Sequence, residues 1–267
     1  MKKQISQQHK KYLRKLALGT TFTHIARIGL LLVLIGLWEL MAQSGMVDPF
    51  ITSSPSRIVK YLGSMINSGT IWTHVWVTLK ETIWAFAIST ILGSLIAILL
   101  MLCMPLKRVM EPYLVVLNSL PKIALGPLII IWMGVGEPAI ITMGVLICIV
   151  ITTISMLNGF LSIEQEKIML MKSLGANKLQ ILFKLILPAS LPNFISVLKI
   201  NVGMAWVGVI MGEYLSSRAG LGYLLVYGGQ VFALDLVMTT IVILCILAGL
   251  MYMLIAMLEM YVNHKRK

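Results

Sequence analysis

Three long stretches of this sequence contain no charged residue, and they limit the chain to one class of fold. They are residues 82–106, 138–163 and 236–258, which are 25, 26 and 23 residues long. About 20 apolar residues cross the hydrocarbon core of a bilayer as a helix that satisfies its own backbone hydrogen bonds. With 58% hydrophobic and 12% charged residues, the chain is predicted to be an all-α integral membrane protein.

Three further apolar segments are each interrupted by a single charged residue, namely Glu39, Lys122 or Lys199. We therefore predict about six transmembrane helices in a domain of residues 28–262, between a basic N-terminal segment, 1–27, and a basic tail, 263–267. The predicted spans are about 28–45, 82–104, 112–134, 138–161, 190–212 and 236–259.

The first apolar segment has an alternative interpretation as the core of a cleaved signal peptide, because the small residues Ala42 and Ser44 follow it. The long polar leader before it and the Trp38-Glu39 pair favour an uncleaved first span.

The distribution of basic residues predicts the orientation. An even number of spans places both termini on one side, and a cytoplasmic N-terminus puts 16 of the 22 Lys and Arg residues inside. Cytoplasmic loops carry the excess of Lys and Arg. The net charge of +12 does not indicate nucleic-acid binding, because the basic residues cluster between spans instead of alternating with aromatic residues on one face.

One polar segment, residues 164–188, separates two apolar ones and is predicted to be a cytoplasmic loop; we call it the 164–188 loop. Gly175 should end one short helix there, because glycine adopts the left-handed conformation of a helix C-cap without steric cost. A second helix should begin near Asn177, and Pro188 should stop it or start the next segment. Four residues share one apolar stripe of this second helix: Leu179, Leu182, Phe183 and Ile186.

The spacing from Gly175 to Leu185, Leu187 and Pro188 resembles the EAA loop of bacterial ABC-transporter permeases. That signature runs Glu-Ala-Ala, three residues, Gly, nine residues, Ile, one residue, Leu-Pro. The Glu-Ala-Ala positions differ in this chain, where residues 169–171 are Met-Leu-Met.

The resemblance extends over roughly residues 50–262. Four segments look like permeases for nitrate, sulfonates, taurine and related small solutes: 120–128 (LPKIALGPL), 131–136 (IWMGVG), 212–214 (GEY) and 219–224 (AGLGYL). The resemblance implies an importer subunit of the bacterial cytoplasmic membrane. It also implies three partners: a cytoplasmic ABC ATPase dimer, an extracellular or periplasmic solute-binding protein, and a second copy of the permease.

The ATP in such a transporter is used by the partner ATPase. The chain has no Gly-xxxx-Gly-Lys-Ser/Thr motif, so we expect no ATP site, no catalytic residue and no cofactor of its own. Its four histidines lack metal-ligand spacing, and we expect no metal site. The expected ATPase-coupling residues are Gly175, Leu179, Leu182, Phe183, Leu187 and Pro188.

A polar group in the third span is the candidate substrate path. Pro121 and Pro127 favour a break or kink, which a membrane tolerates where the backbone is buried in protein or lines a cavity. We hypothesise that Asn118, Ser119 and Lys122 lie on or near the path and that Lys122 attracts an anion. Alternatively, Lys122 extends from a helix end to the membrane surface.

The fifth span ends with Glu213, which is either a gating or binding residue on the substrate path or a solvated charge at the helix end. Gly208 and Gly212 have the Gly-xxx-Gly spacing that lets helices approach closely. We expect these glycines to pack against another span or against a second subunit.

Two other classes of protein compete with the permease. A secondary carrier would use an ion gradient, but the chain shows no inverted repeat and few ionisable groups within its spans. A membrane-bound enzyme would need a polar catalytic cluster, which the sequence does not show. Within the permease class, a pyrimidine vitamin precursor or an amino-acid-like cation is the alternative solute.

Overall fold

The computed structural model describes residues 7–265, and every element within that range is helical. The first six residues of the basic segment predicted for 1–27, and the last two of the tail predicted for 263–267, lie outside the described residues. Residues up to Ser64 and residues from Met65 onward form two compact units, which we describe separately.

The N-terminal unit contains α1 (Gln7–Gln43), the short α2 (Pro49–Thr52) and most of α3 (Pro55–Asn67). Within α1, Ile25–Gln43 is long and apolar enough to span a membrane. Glu39, the charge that interrupts this span, accepts hydrogen bonds from the Ser56 backbone N–H at 3.0 Å and the Ser56 hydroxyl at 2.8 Å. The carboxylate thus satisfies a free backbone donor in the first turn of α3.

The second unit consists of long helices joined by short ones. Its elements are α4 (Thr70–Leu102), α5 (Met104–Ser119), a 3₁₀ turn (Lys122–Leu125), α6 (Gly126–Met133), α7 (Glu137–Leu161), α8 (Gln165–Ser173), α9 (Lys178–Ile181), a π-helical turn (Leu182–Ile186), α10 (Leu187–Ser216), α11 (Leu221–Gln230) and α12 (Leu234–Lys265). Residues 7–265 contain five helices long and apolar enough to cross a membrane, or six if one bent pair counts as a single span. This confirms the predicted fold class.

Helix α7 is the centre of this unit, because it packs along both α4 and α10. Small residues allow the close approach: a methyl group on Gly208 would lie 2.6 Å from the Gly144 Cα, and one on Gly212 would lie 2.9 Å from the Ile140 Cα. The two glycines of the Gly-xxx-Gly pair therefore pack against another span of the same chain, α7.

The third predicted span, 112–134, is broken into two pieces. Helix α5 and the following stretch Lys122–Met133 meet at 86°. Leu120 lies at the break with ψ 134° because the ring of Pro121 excludes the helical conformation from the residue before it. Pro127 lies in the first turn of α6, where its missing N–H removes no hydrogen bond. The break thus follows from Pro121.

Candidate functional site

The turn at the centre of the 164–188 loop is a Schellman motif. After α8, Gly175 adopts a φ of 77°. Its N–H donates to the Lys172 carbonyl at 2.9 Å, and the Ala176 N–H donates to the Met171 carbonyl at 3.0 Å. These two bonds satisfy carbonyls that the helix end would leave free. Gly175 thus has the left-handed conformation predicted for the end of this helix.

The next helix begins with a capping box. The Asn177 side chain accepts a hydrogen bond from the Gln180 N–H at 2.8 Å, and the Gln180 side chain accepts one from the Asn177 N–H at 2.9 Å. This reciprocal pair satisfies two free donors at the start of α9. Both helix ends that flank the turn are therefore held by local hydrogen bonds.

The apolar stripe predicted for the second helix lies across the boundary between core and surface. Leu182 and Ile186 are each 2% exposed, whereas Leu179 and Phe183 are 55% and 63% exposed. Leu182 belongs to a core cluster that also contains Phe160 at the end of α7. The Leu182 side chain therefore packs inside its own chain, and the part in ATPase coupling that the sequence predicts for it stays a prediction.

Pro188 does not end the helix that contains this stripe. The Leu187 N–H bonds to the Leu182 carbonyl in the π-helical turn, and Pro188 follows in the first turn of α10. Lys178–Ser216 is one helical stretch of 39 residues, about 58 Å long at 1.5 Å per residue. The 164–188 loop is thus continuous with a transmembrane helix; Leu187 is half-buried in it and Pro188 is exposed.

Five large apolar side chains of the 164–188 loop are each more than half exposed, and we call them the loop face. They are Met169, Leu170, Leu174, Leu179 and Phe183. Met169 and Leu170 occupy two of the positions where the EAA signature has Glu-Ala-Ala. The departure from that signature therefore adds exposed apolar surface to the loop.

The three residues of the predicted substrate path lie at the break after α5. The Lys122 ammonium donates to the Asn118 carbonyl at 3.1 Å, and the Ser119 hydroxyl donates to the Val115 carbonyl at 3.0 Å. Asn118 and Ser119 are exposed, and Lys122 is half-buried. The lysine thus satisfies one of the last carbonyls of α5.

Glu213, the fourth candidate for this path, lies in a different setting. It is 1% exposed, and its Oε2 accepts a hydrogen bond from the Gly222 N–H at the start of α11. Gly220, with a φ of 115°, also lies directly against the carboxyl group. The alternative that Glu213 is a solvated charge at a helix end is therefore wrong.

Sequence reasoning missed Glu81, which is 3% exposed in α4 and lies close enough to Glu213 to interact with it directly. In the sequence, Glu81 only marks the border of a charge-free run. Its position inside a helix that begins at Thr70 is the signal that could have identified it, because a charge eleven residues into a long apolar helix needs a reason.

A buried polar cluster joins three helices. Asn201 of α10 is fully buried, donates to the Thr90 hydroxyl at 3.0 Å and accepts from the Thr152 hydroxyl at 2.9 Å. Thr90 lies on α4 and Thr152 on α7. These hydrogen bonds connect the helices that form the centre of the unit.

Comparison with known proteins agrees with this architecture. Residues 89–267 match the family described as binding-protein-dependent transport system inner membrane component. The chain is 28% identical to the taurine transport system permease protein of Escherichia coli, over 84% of this chain and 83% of the relative. It is 31% identical to the formylaminopyrimidine transport permease protein of Halalkalibacterium halodurans, over 72% of this chain and 76% of that relative.

The fold also resembles a solved structure, the MetNI methionine ABC transporter in an inward-facing conformation. The TM-score is 0.66 at 22% identity, and the match covers 73% of this chain and 98% of the transporter chain. The family match covers more than half of the sequence and includes the 164–188 loop, α10 and the buried Glu213. The chain therefore belongs to the family of binding-protein-dependent transport system inner membrane components, the permease subunits of ABC transporters.

Proposed function

We propose that this permease forms the translocation pathway of an ATP-driven importer and that its 164–188 loop couples the pathway to a separate ATPase. The observation that supports this proposal most directly is the loop face, an exposed apolar surface on a helix-turn-helix that continues into α10. Exposed apolar patches of this kind mark interaction sites.

The loop face suits a protein partner better than lipid. Its helices carry four lysines, Lys167, Lys172, Lys178 and Lys184. Charged residues at such density belong outside the hydrocarbon core. A short helix with one apolar face fits a hydrophobic groove on another protein. Of the coupling residues expected from the sequence, Leu179 and Phe183 lie on this face, Gly175 sets the turn, and Leu187 and Pro188 join the loop to α10.

The partner that supplies the energy is an ABC ATPase dimer on the cytoplasmic side, since this sequence has no P-loop. ATP can drive the transporter only by binding the closed ATPase pair more tightly than the open pair, because a ligand shifts an equilibrium through its differential affinity alone. Closure of the ATPases moves the loop, and the continuous helix from Lys178 to Ser216 carries that motion to the far end of the pathway.

The remaining parts of the assembly follow from the same proposal. Two copies of the permease form the pore as a homodimer, with both termini of each copy in the cytoplasm of a bacterium. A solute-binding protein outside delivers a small solute. Sulfonates, taurine and nitrate form the favoured class, and a pyrimidine vitamin precursor is the second candidate, since one relative is a formylaminopyrimidine permease.

The proposal is tested by affinity purification of the tagged chain from its native membrane. We expect an ATPase subunit and a lipid-anchored solute-binding protein to be recovered with it. In a Phe183→Asp variant, recovery of the ATPase should fall by about tenfold, since that loss corresponds to about 1.4 kcal/mol of apolar contact. Phe183 is exposed, so the folded permease should be recovered as before.

The control is Lys178→Gln, a change at an exposed position of the same helix that removes no apolar surface; it should leave ATPase recovery within about twofold of the parent chain. Equal recovery of the ATPase with Phe183→Asp would contradict the role of the loop face. Uptake that follows an ion gradient without ATP, and no ATPase in the purified material, would favour a secondary carrier instead.

A further inference from the structure

A cavity of about 470 Å³ lies in the second unit, at the end of α7 and α10 that is farthest along each helix from the 164–188 loop. Its lining includes Glu81 from α4, Glu137 from the start of α7, Ser216 at the end of α10, and Arg218 just after that helix. Helix α7 alone has 25 residues, which places its two ends about 37 Å apart. The volume is within the range of small-molecule binding sites.

Two residues of the cavity wall, Glu81 and Ser216, each have a buried polar atom that receives no hydrogen bond from an N–H or hydroxyl group of the described residues. Glu81 Oε2 and Ser216 Oγ accept no hydrogen bond from an N–H or hydroxyl group of the described residues, although the residues are only 3% and 9% exposed. Most buried polar atoms in proteins have a hydrogen-bond partner, so each exception calls for an explanation. Two exceptions on one cavity wall define a site that can bind a polar group.

The charge around these atoms determines which group fits. Glu213 adds a second buried carboxyl group, which lies within hydrogen-bonding distance of the Glu81 carboxyl group. The nearby Lys80 is paired with Glu137 at 2.8 Å. Arg218 is exposed. Neither buried carboxyl group forms an ion pair with a described lysine or arginine.

We propose that this cavity binds the transported solute through a nitrogen group that donates hydrogen bonds to Glu81 and Ser216. This group is either an ammonium or an amino group attached to an aromatic ring. A carboxylate accepts hydrogen bonds, an ammonium has three donors, and a hydroxyl can accept one of them. A group with negative charge alone would meet two carboxyl groups in a poorly solvated site. An amino-sulfonate or an aminopyrimidine therefore fits, whereas nitrate or a simple sulfonate does not.

This inference rests on the proposed function, because it places the solute in the pathway of an importer. It narrows that function to amino-bearing solutes and assigns Glu81 as the residue that selects them. Glu213 is a positioning residue, since one of its oxygens is held by the Gly222 N–H and its carboxyl group lies beside that of Glu81.

Matched probes test the inference on the full chain in lipid nanodiscs. Taurine is compared with ethanesulfonate, which lacks only the amino group, and 4-aminopyrimidine is compared with pyrimidine. A ligand that binds only the folded state raises the melting temperature as its concentration increases. We expect at least one amino-bearing probe to raise the melting temperature while its amine-free counterpart does not. Equal shifts within both pairs, or no shift with any probe, would overturn the proposal; the latter result means that the cavity holds water only.

Substitutions in the cavity test which residues bind the amino group of the probe. Glu81→Gln keeps the size of the side chain but replaces the carboxyl group with an amide, and it should weaken binding of the amino-bearing probe by about tenfold or more. Ser216→Ala should weaken binding by a smaller factor, about threefold, and gives an independent result if Glu81→Gln does not fold. The control is Glu111→Gln in α5, which removes an exposed carboxylate that does not line the cavity. It should change the affinity by less than about twofold, and an effect equal to that of Glu81→Gln would rule out a specific role for Glu81.

The failure of this inference is distinguishable from the failure of the proposed function, because recovery of the ATPase is measured separately. If the ATPase is recovered but the probes are not distinguished by their amino groups, only the cavity assignment fails. If the probes are distinguished and no ATPase is recovered, the importer proposal fails and the cavity remains an amine site.

Discussion

The 164–188 loop and the Glu81 cavity have opposite surface chemistry. The loop exposes large apolar side chains, of which Leu174 is 75% accessible, whereas the cavity region buries carboxyl groups, of which Glu213 is 1% accessible. Apolar surface exposed to water and polar groups buried with too few hydrogen bonds both raise the free energy of the isolated chain. The comparison indicates that one region is completed by a protein and the other by a polar solute.

The two regions are connected by packed helices. The helical stretch Lys178–Ser216 reaches from the loop to the cavity, and it packs along α7 through Gly208 and Gly212. A movement of the loop can therefore be transmitted through this helical stretch to the cavity without local unfolding. Substitutions in this connection should lower stability most, those in the loop less, and those at single polar contacts least.

The largest expected effect is that of Gly208→Ala, which alters the connection that both regions share. The added methyl group would lie 2.6 Å from the Gly144 Cα and 3.2 Å from the Gly144 nitrogen, both backbone atoms. Overpacking of this kind costs about 1–3 kcal/mol. We expect a lower melting temperature of the purified chain, lower recovery of the ATPase by the loop, and weaker binding of the amino-bearing probe in the cavity.

The matched control is Gly203→Ala in the same helix, where a methyl group has no atom within 4 Å. That variant should be as stable as the parent chain or slightly more stable, because alanine favours the helix. Equal melting temperatures of the two alanine variants would contradict the close packing of α10 on α7.

Gly175→Val should disrupt the loop and leave the cavity intact. Nothing in the structure lies within 4 Å of a side chain at this position, so the effect comes from the φ of 77°. A left-handed conformation costs a non-glycine residue about 1–2 kcal/mol, with β-branched residues affected most. The strain should distort the turn, so that loaded binding protein no longer stimulates ATP hydrolysis in reconstituted vesicles. Gly175→Asn should retain most of the stimulation, since asparagine tolerates this conformation; normal stimulation in the valine variant would argue against coupling through a rigid turn.

A smaller effect is expected for the hydrogen bond between Asn201 and Thr152, which lies between the two regions. Interhelical hydrogen bonds in membrane proteins contribute about 0.6 kcal/mol on average. A double-mutant cycle with Asn201→Ala and Thr152→Ala, measured as free energies of unfolding, should give a coupling energy of that size. The control cycle pairs Asn201→Ala with Ser119→Ala, whose hydroxyl bonds only to Val115 in its own helix. That cycle should be additive, and a coupling equal to the first would point to a general loosening of the helices.

The sequence predicts those features that depend on local interactions. Gly175 and Asn177 reveal a helix end and a helix start because their preferences arise within a few residues of the chain. The broken third span is predictable for the same reason, since Pro121 acts on the residue directly before it. Apolar runs of sufficient length likewise identify the spans without reference to their neighbours.

The features that depend on packing between helices were predicted less well. Leu182 and Phe183 are adjacent apolar residues, and Leu182 is the one that lies inside because it joins the core cluster that contains Phe160 at the end of α7. Glu81 and Glu213 are 132 positions apart in the sequence, so their proximity results from the packing of α4 against α10. A residue pattern along one helix contains no information about such a pair.

The smallest effect on stability is expected for Lys122→Met, which tests whether the path extends to the break after α5. The lysine is half-buried, and its hydrogen bond is to the Asn118 carbonyl, so the loss should be about 0.5 kcal/mol or less. If Lys122 attracts the anionic end of an amino-sulfonate, uptake in reconstituted vesicles should fall about tenfold for the Met variant but much less for Lys122→Arg, which keeps the charge. Unaltered uptake by a Met variant that still assembles would mean that Lys122 only caps α5. The solute would then be selected by its amino group at Glu81 and not by a negative charge at this break.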